Sequence, residues 1–128
     1  MNIKDLQERV EEIVMSAIKS GQSVEETIEN ETEKVAKDFF AKSGENAEKI
    51  QQTIADIVKD VKSKVDDSKA LTGVAKGMLK GAQEGAKLSL QTAKDVAENV
   101  VKECLFVGID LKEIPKLLFR NFKDTFFK

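Results

Sequence analysis

The sequence predicts an all-α protein, an elongated bundle of four or five amphipathic helices. Three observations carry that expectation. Apolar residues recur at three- and four-residue spacing almost everywhere, and no run alternates at period two. A hydrophobic fraction of 41 % beside a charged fraction of 34 % suits amphipathic helices, being too apolar for a disordered tail and too charged for a membrane span. Between the periodic segments fall Gly, Ser and Asn, the residues that end helices and cap the next ones. At 128 residues the chain suits a single domain, 1–128, able to bury a real core.

The first segment reads Ile3, Leu6, Val10, Ile13, Val14, Ala17, Ile18, capped by Asn2 and stopped at Ser20-Gly21. The second opens on Ser23-Val24-Glu25-Glu26, with capping-box spacing. Its stripe is thin (Val24, Ile28, Val35, Phe39), with Glu31 and Thr32 where another apolar residue is expected, and Gly44 ends it. The third starts at Asn46 and carries Ala47, Ile50, Ile54, Ile57, Val58, Val61 and Val65, close to a heptad seam for under three repeats.

Asp66-Asp67-Ser68 reads as the next break, with Ser68 as cap. From there the spacing predicts one long central helix over 68–107, close to forty residues and about 60 Å at the helical rise. Gly108-Ile109-Asp110 reads as a stop and a new cap. A last helix then covers 110–128, with Pro115 near its first turn, where a missing N–H costs least. Short connections make antiparallel hairpins the expected packing.

Charge divides the chain. Residues 1–67 hold sixteen acids and ten bases, a balance of −6, while residues 68–128 hold seven acids and eleven bases, a balance of +4. Such halves either face each other or attract different partners. Only Arg9 and Arg120 of the 21 bases are arginine, the residue favoured for bidentate phosphate recognition, which argues against a nucleic-acid binder.

Catalysis has little to work with. Histidine is absent, removing the commonest general base and metal ligand together, and Cys104 is the sole cysteine. It reads as a small buried hydrophobe. No catalytic residue, metal site, cofactor site or small-molecule substrate is expected. The longest uncharged runs, such as Cys104 to Ile109, fall far short of the ~20 residues of a spanning helix. The amino terminus lacks an apolar signal region, so the expected location is the cytoplasm.

Two segments could carry function. Gly73, Gly77, Gly81 and Gly85 recur every fourth residue, although each interior helix glycine costs ~0.8–1.0 kcal/mol against alanine. A flank without bulk admits another backbone, as small-xxx-small motifs do in membranes. The four are therefore read as a helix-packing or oligomer face, with Lys76, Lys80, Lys87 and Lys94 keeping the opposite face wet. The second segment is the carboxy terminus, which holds five of the seven phenylalanines, Phe106 among them. There Phe119, Phe122 and Phe126 share a helical face, with Lys116, Arg120 and Lys123 among or opposite them. A basic helix with a Leu/Phe face fits a lipid or granule surface or a partner's groove, or else folds back to close the core. The acid run Glu25 to Glu33 stacks Glu25, Glu29 and Glu33 at i, i+4 spacing, a mutual repulsion that a basic partner would relieve.

Residues 68–105, with KGMLKGAQEGAKLSLQTAKDVAENVV, resemble the Ala/Lys-rich amphipathic helices of phasins and phasin-like bacterial proteins. That resemblance, one of composition, implies a coat that lays a helical apolar face on storage granules, and it assigns no functional residue. The residues themselves favour a non-catalytic interaction or scaffold protein that self-associates through its small-residue faces. The alternative is a peripheral lipid- or granule-surface coat using the carboxy-terminal helix.

Overall fold

A computed structural model describes residues 1–21, 24–111 and 114, and among these the chain is all-α. Five helices pack as a bundle: α1 (Ile3–Ser20), α2 (Val24–Ser43), α3 (Ala47–Lys64), α4 (Ser68–Gly85) and α5 (Leu90–Phe106).

The helix starts follow local chemistry. Asn2 and Asp5 form a reciprocal capping box, in which the Asp5 N–H donates to Asn2 Oδ1 at 2.9 Å and the Asn2 N–H to Asp5 Oδ2 at 3.1 Å. Asn46 caps α3 by accepting from the Lys49 N–H at 2.9 Å. The cap of α4 is Asp67 rather than Ser68, its carboxylate accepting from the Ala70 N–H at 2.9 Å. Ser23, the expected cap of α2, lies outside the described residues.

The expected long central helix is two helices. After Gly85 the chain makes a Schellman turn: the Leu88 N–H reaches back to the Gln83 carbonyl at 3.0 Å, and Lys87 takes the left-handed conformation at φ 54°. Ser89 then caps α5, accepting from the Thr92 N–H at 3.1 Å. Four glycines had already lowered the helix propensity of this stretch, so a bend here costs little. The helices are 17–20 residues long, and none reaches the predicted forty.

Packing also departs from simple antiparallel hairpins. Gly73, Gly77, Gly81 and Gly85 of α4 meet the Glu25, Glu29, Glu33 and Lys37 carbonyls of α2 in that order. Both numbers climb together, so α2 and α4 run parallel and α3 carries the chain back between them. Central α4 touches each of the other four helices.

Around it lies the core. Leu6, Val10 and Val14 come from α1, Ile28, Ala36 and Phe40 from α2, and Ile50, Ile54, Ile57, Val58 and Val61 from α3. From α4 come Val74, Ala75 and Met78, and from α5 Ala97, Val100 and Cys104. Phe39 and Phe40 meet edge to face at 5.1 Å. Past α5 the Ile109 N–H returns to the Cys104 carbonyl at 2.9 Å around Gly108 (φ 82°), and Ile109, Leu111 and Ile114 re-enter the core.

Candidate functional site: the glycine flank and the exit of α5

Within the chain the glycine flank is already filled. A Cβ on Gly77 would stand 2.6 Å from the Glu29 carbonyl oxygen and 2.7 Å from Thr32 Cβ. One on Gly81 would stand 2.5 Å from Ala36 Cβ and 2.7 Å from the Lys37 amide nitrogen. Gly73 would meet the Glu25 carbonyl at 2.7 Å, and Gly85 is pressed against the Lys37 carbonyl. Four-residue steps on one helix therefore meet four-residue steps on the other, backbone to backbone. This explains the thin stripe of α2: Thr32 and Ala36, both fully buried, are small because α4 comes so close.

Charges line the edge of this contact. Lys76 Nζ lies 3.3 Å from Glu25 and 3.0 Å from Glu29, and Lys80 closes on the other oxygen of Glu29. On α2, Lys37 reaches Glu84 at 3.4 Å. Lys76 and Lys80, expected on a wet opposite face, are thus largely covered, with side chains 12 % and 22 % exposed. The reason is angular: each precedes a glycine by one residue, which puts it about 100° from the flank and beside the acidic edge of α2.

Burial disfavours the Glu29 carboxylate, but hydrogen bonds from Lys80 and Lys76 outweigh it and hold the group below the usual range. Lys76 is raised, burial being overcome by Glu29 and Glu25. Glu33, further along the same edge, is raised by burial and by sharing a hydrogen bond with Glu84. A second acid pair joins α1 to α3, where Glu11 is raised chiefly by its hydrogen bond with Asp60 and Lys64 caps the pair at 2.6 Å from Glu11.

The exit of α5 is different in kind. Leu105, Phe106 and Val107 stand together in solvent, with Phe106 90 % exposed. Three apolar residues in a row cannot all face one side of a helix, so with Cys104 turned into the core its neighbours point out. Lys62 of α3 donates to the Val107 carbonyl at 3.2 Å, and exposed Lys102 lies one turn before Phe106. The uncharged run from Cys104 to Ile109, with Phe106 in it, is the sequence signal for this tip.

Other candidates yield little chemistry. Burial pushes the Cys104 thiol up to about 11, leaving no thiolate for nucleophilic attack near neutrality. Among the described residues no three His, Cys, Asp or Glu side chains group as a metal site. A groove of about 590 Å³ between α1 and α2, bordered by Arg9, Glu12, Thr27 and Glu31, is wide open to solvent. No helix among the described residues is long and apolar enough to cross a membrane. The predicted surface residues Lys116, Phe119, Arg120, Phe122, Lys123 and Phe126 lie outside the described residues.

Among the described residues, fold and surface define an all-α bundle of five helices with an internal glycine contact and an apolar tip at the exit of α5. No protein-family model, no curated protein and no solved structure matches this chain.

Proposed function

We infer that this chain is a non-catalytic helical interaction protein, a self-associating scaffold whose working contact lies at the exit of α5. The observation that carries this reading is the exposure of Leu105, Phe106 and Val107 on a bundle whose other described phenylalanines, Phe39 and Phe40, are buried. A ring left in water forgoes ~1.5–3 kcal/mol that a partner surface would recover. The small-residue flank, first expected to serve assembly, supports that role poorly because α2 occupies it from Gly73 to Gly85. Another copy could reach it only after α2 had left. The phasin-like composition adds little, since its stretch is split between α4 and α5 and α4 gives its small-residue face to α2.

Sedimentation of the intact chain over a concentration series tests the reading against Phe106→Ser. Reversible association is expected for the natural chain and its loss for the variant, with unchanged helicity. Identical behaviour of the two would refute it.

A further inference from the structure

We propose that Glu11 and Asp60 form a proton-sharing clasp between α1 and α3, closed in mild acid and looser at neutrality. The observation that carries it is a buried acceptor with nothing to accept. Asp60 Oδ2 is shut away from solvent, and no hydrogen-bond donor reaches it. A buried oxygen left in that state costs the fold, and a donor from a neighbouring side chain is the usual remedy. Its neighbour across the helix contact is another carboxyl, that of Glu11. Lys64, the cation beside them, is committed to Glu11 at 2.6 Å and stands 3.9 Å from Asp60 Oδ2, beyond hydrogen-bonding reach. The donor that the pair can supply for itself is a proton. With it, one carboxyl donates to the other. Without it, two acids whose side chains are only 24 % and 22 % exposed face each other across a single lysine.

The proton belongs to Glu11. Its carboxyl is held above the ordinary glutamate range, chiefly by the hydrogen bond with Asp60. The same bond, aided by Gln7 and Lys64 against burial, holds Asp60 below its own range. Facing the pair are Gln7 and Glu8 of α1, the latter acting on Lys64, and Lys64 of α3. Among the described residues no charged group of α2, α4 or α5 acts on it. Glu11 therefore contributes stability that is present below the ordinary glutamate range and is lost as pH rises through its folded value. Asp60 loses its contribution only as pH falls through a value below the ordinary aspartate range. Between those two limits the clasp is strongest.

Packing beside the pair is thin. A cavity of about 230 Å³ opens between the helices along Val14, Met15, Val61 and Val65, with Glu11 and Lys64 on its rim. Less apolar contact joins α1 to α3 at this level, so the carboxyl pair carries a larger share of it.

Hydrogen exchange of the α1 amides in the full chain, corrected for intrinsic rates, tests the proposal in mild acid, about pH 5, and at neutrality. Protection of α1 relative to α5 should fall about twofold to tenfold from acid to neutrality, the worth of one net hydrogen bond. Glu11→Gln keeps an N–H donor toward Asp60 at every pH, so it should hold α1 at its acid level of protection and remove the fall. Glu33→Gln, at the acid pair between α2 and α4, should leave the fall in place. A carboxyl titration followed by carbon NMR reads the natural chain directly. Glu11 should titrate above the ordinary glutamate value, and Asp60→Asn should bring it down. Protection of α1 that ignores pH, an undiminished fall in Glu11→Gln, or its disappearance in Glu33→Gln would overturn the proposal. So would a Glu11 carboxyl that titrates at or below the ordinary value, or one that Asp60→Asn leaves unmoved.

Discussion

Gly81 sits where one added methyl group reads the whole α2–α4 contact. On an open helix face, Gly→Ala would stabilise by ~1 kcal/mol through helix propensity. Here the new Cβ meets Ala36 Cβ at 2.5 Å and the α2 backbone at 2.7 Å and 2.8 Å, atoms that move only if the helix moves. Gly81→Ala is therefore expected to destabilise by ~1–3 kcal/mol, the usual cost of overpacking. A urea titration checks this, and a raised midpoint would mean that the helices are further apart than described.

The carboxylates beside that contact have opposite pH signatures. Glu29 is depressed in the fold, so its contribution is present above the ordinary glutamate range and is lost as pH falls through its folded value. Removing its charge with Glu29→Gln leaves Lys76 and Lys80 covered and poorly paired, at ~1–3 kcal/mol near neutrality. Glu33 is raised, so the fold holds its proton more tightly than the unfolded chain does. That contribution is present in acid and is lost as pH rises through the folded value. Glu33→Gln should accordingly raise the melting temperature at neutral pH and make little difference in acid. Melting curves at the two pH values distinguish the pair, and a loss of stability in Glu33→Gln at neutrality would contradict the assignment.

At the scale of the element, the turn between α4 and α5 shows what local signals can and cannot say. Gly21, Gly44 and Gly108 were readable as stops, and each takes a positive φ at the end of its helix. The fourth stop was missed because Lys87 holds the left-handed position, and lysine at a helical spacing reads as a solvated face. Ser89 was no clearer, because three residues later stands Thr92 and not the Glu or Gln of a capping box. A non-glycine residue in the left-handed region costs ~1–2 kcal/mol, so Lys87→Gly should stabilise the protein by about 1 kcal/mol, less a little for its looser unfolded chain. Thermal unfolding measures it. A fall in stability would show that the Lys87 side chain has a contact worth more than the backbone strain.

For the molecule as a whole, the end of the described chain is part of the core. Ile109, Leu111 and Ile114 are each at most 3 % exposed, and each buried side chain of this size contributes ~1.5–3 kcal/mol. Three such losses rival the total stability of an ordinary domain, ~5–15 kcal/mol. A chain ended after Gly108 should thus melt far below one ended after Ile114, or fail to fold. Equal melting of the two truncations would place these residues outside the cooperative unit.

The amino-acid sequence by itself determined the helical class, four of the five helix starts to within a residue or two, and the small-residue flank. These depend on neighbours within one or two turns: apolar spacing, capping side chains and the absence of a Cβ. It also carried the complementarity of an acidic first half and a basic second half, without saying which side chains meet. Only the tertiary structure decided that Glu25 and Glu29 pair with Lys76 and Lys80, and that the flank is spent on α2 within the same chain. It alone divided the long periodic stretch in two and turned Phe106 outward. The physical reason is common to all of these. A glycine flank specifies how closely a backbone can approach but not whose backbone it is, and an apolar residue specifies a preference for burial that geometry can still refuse.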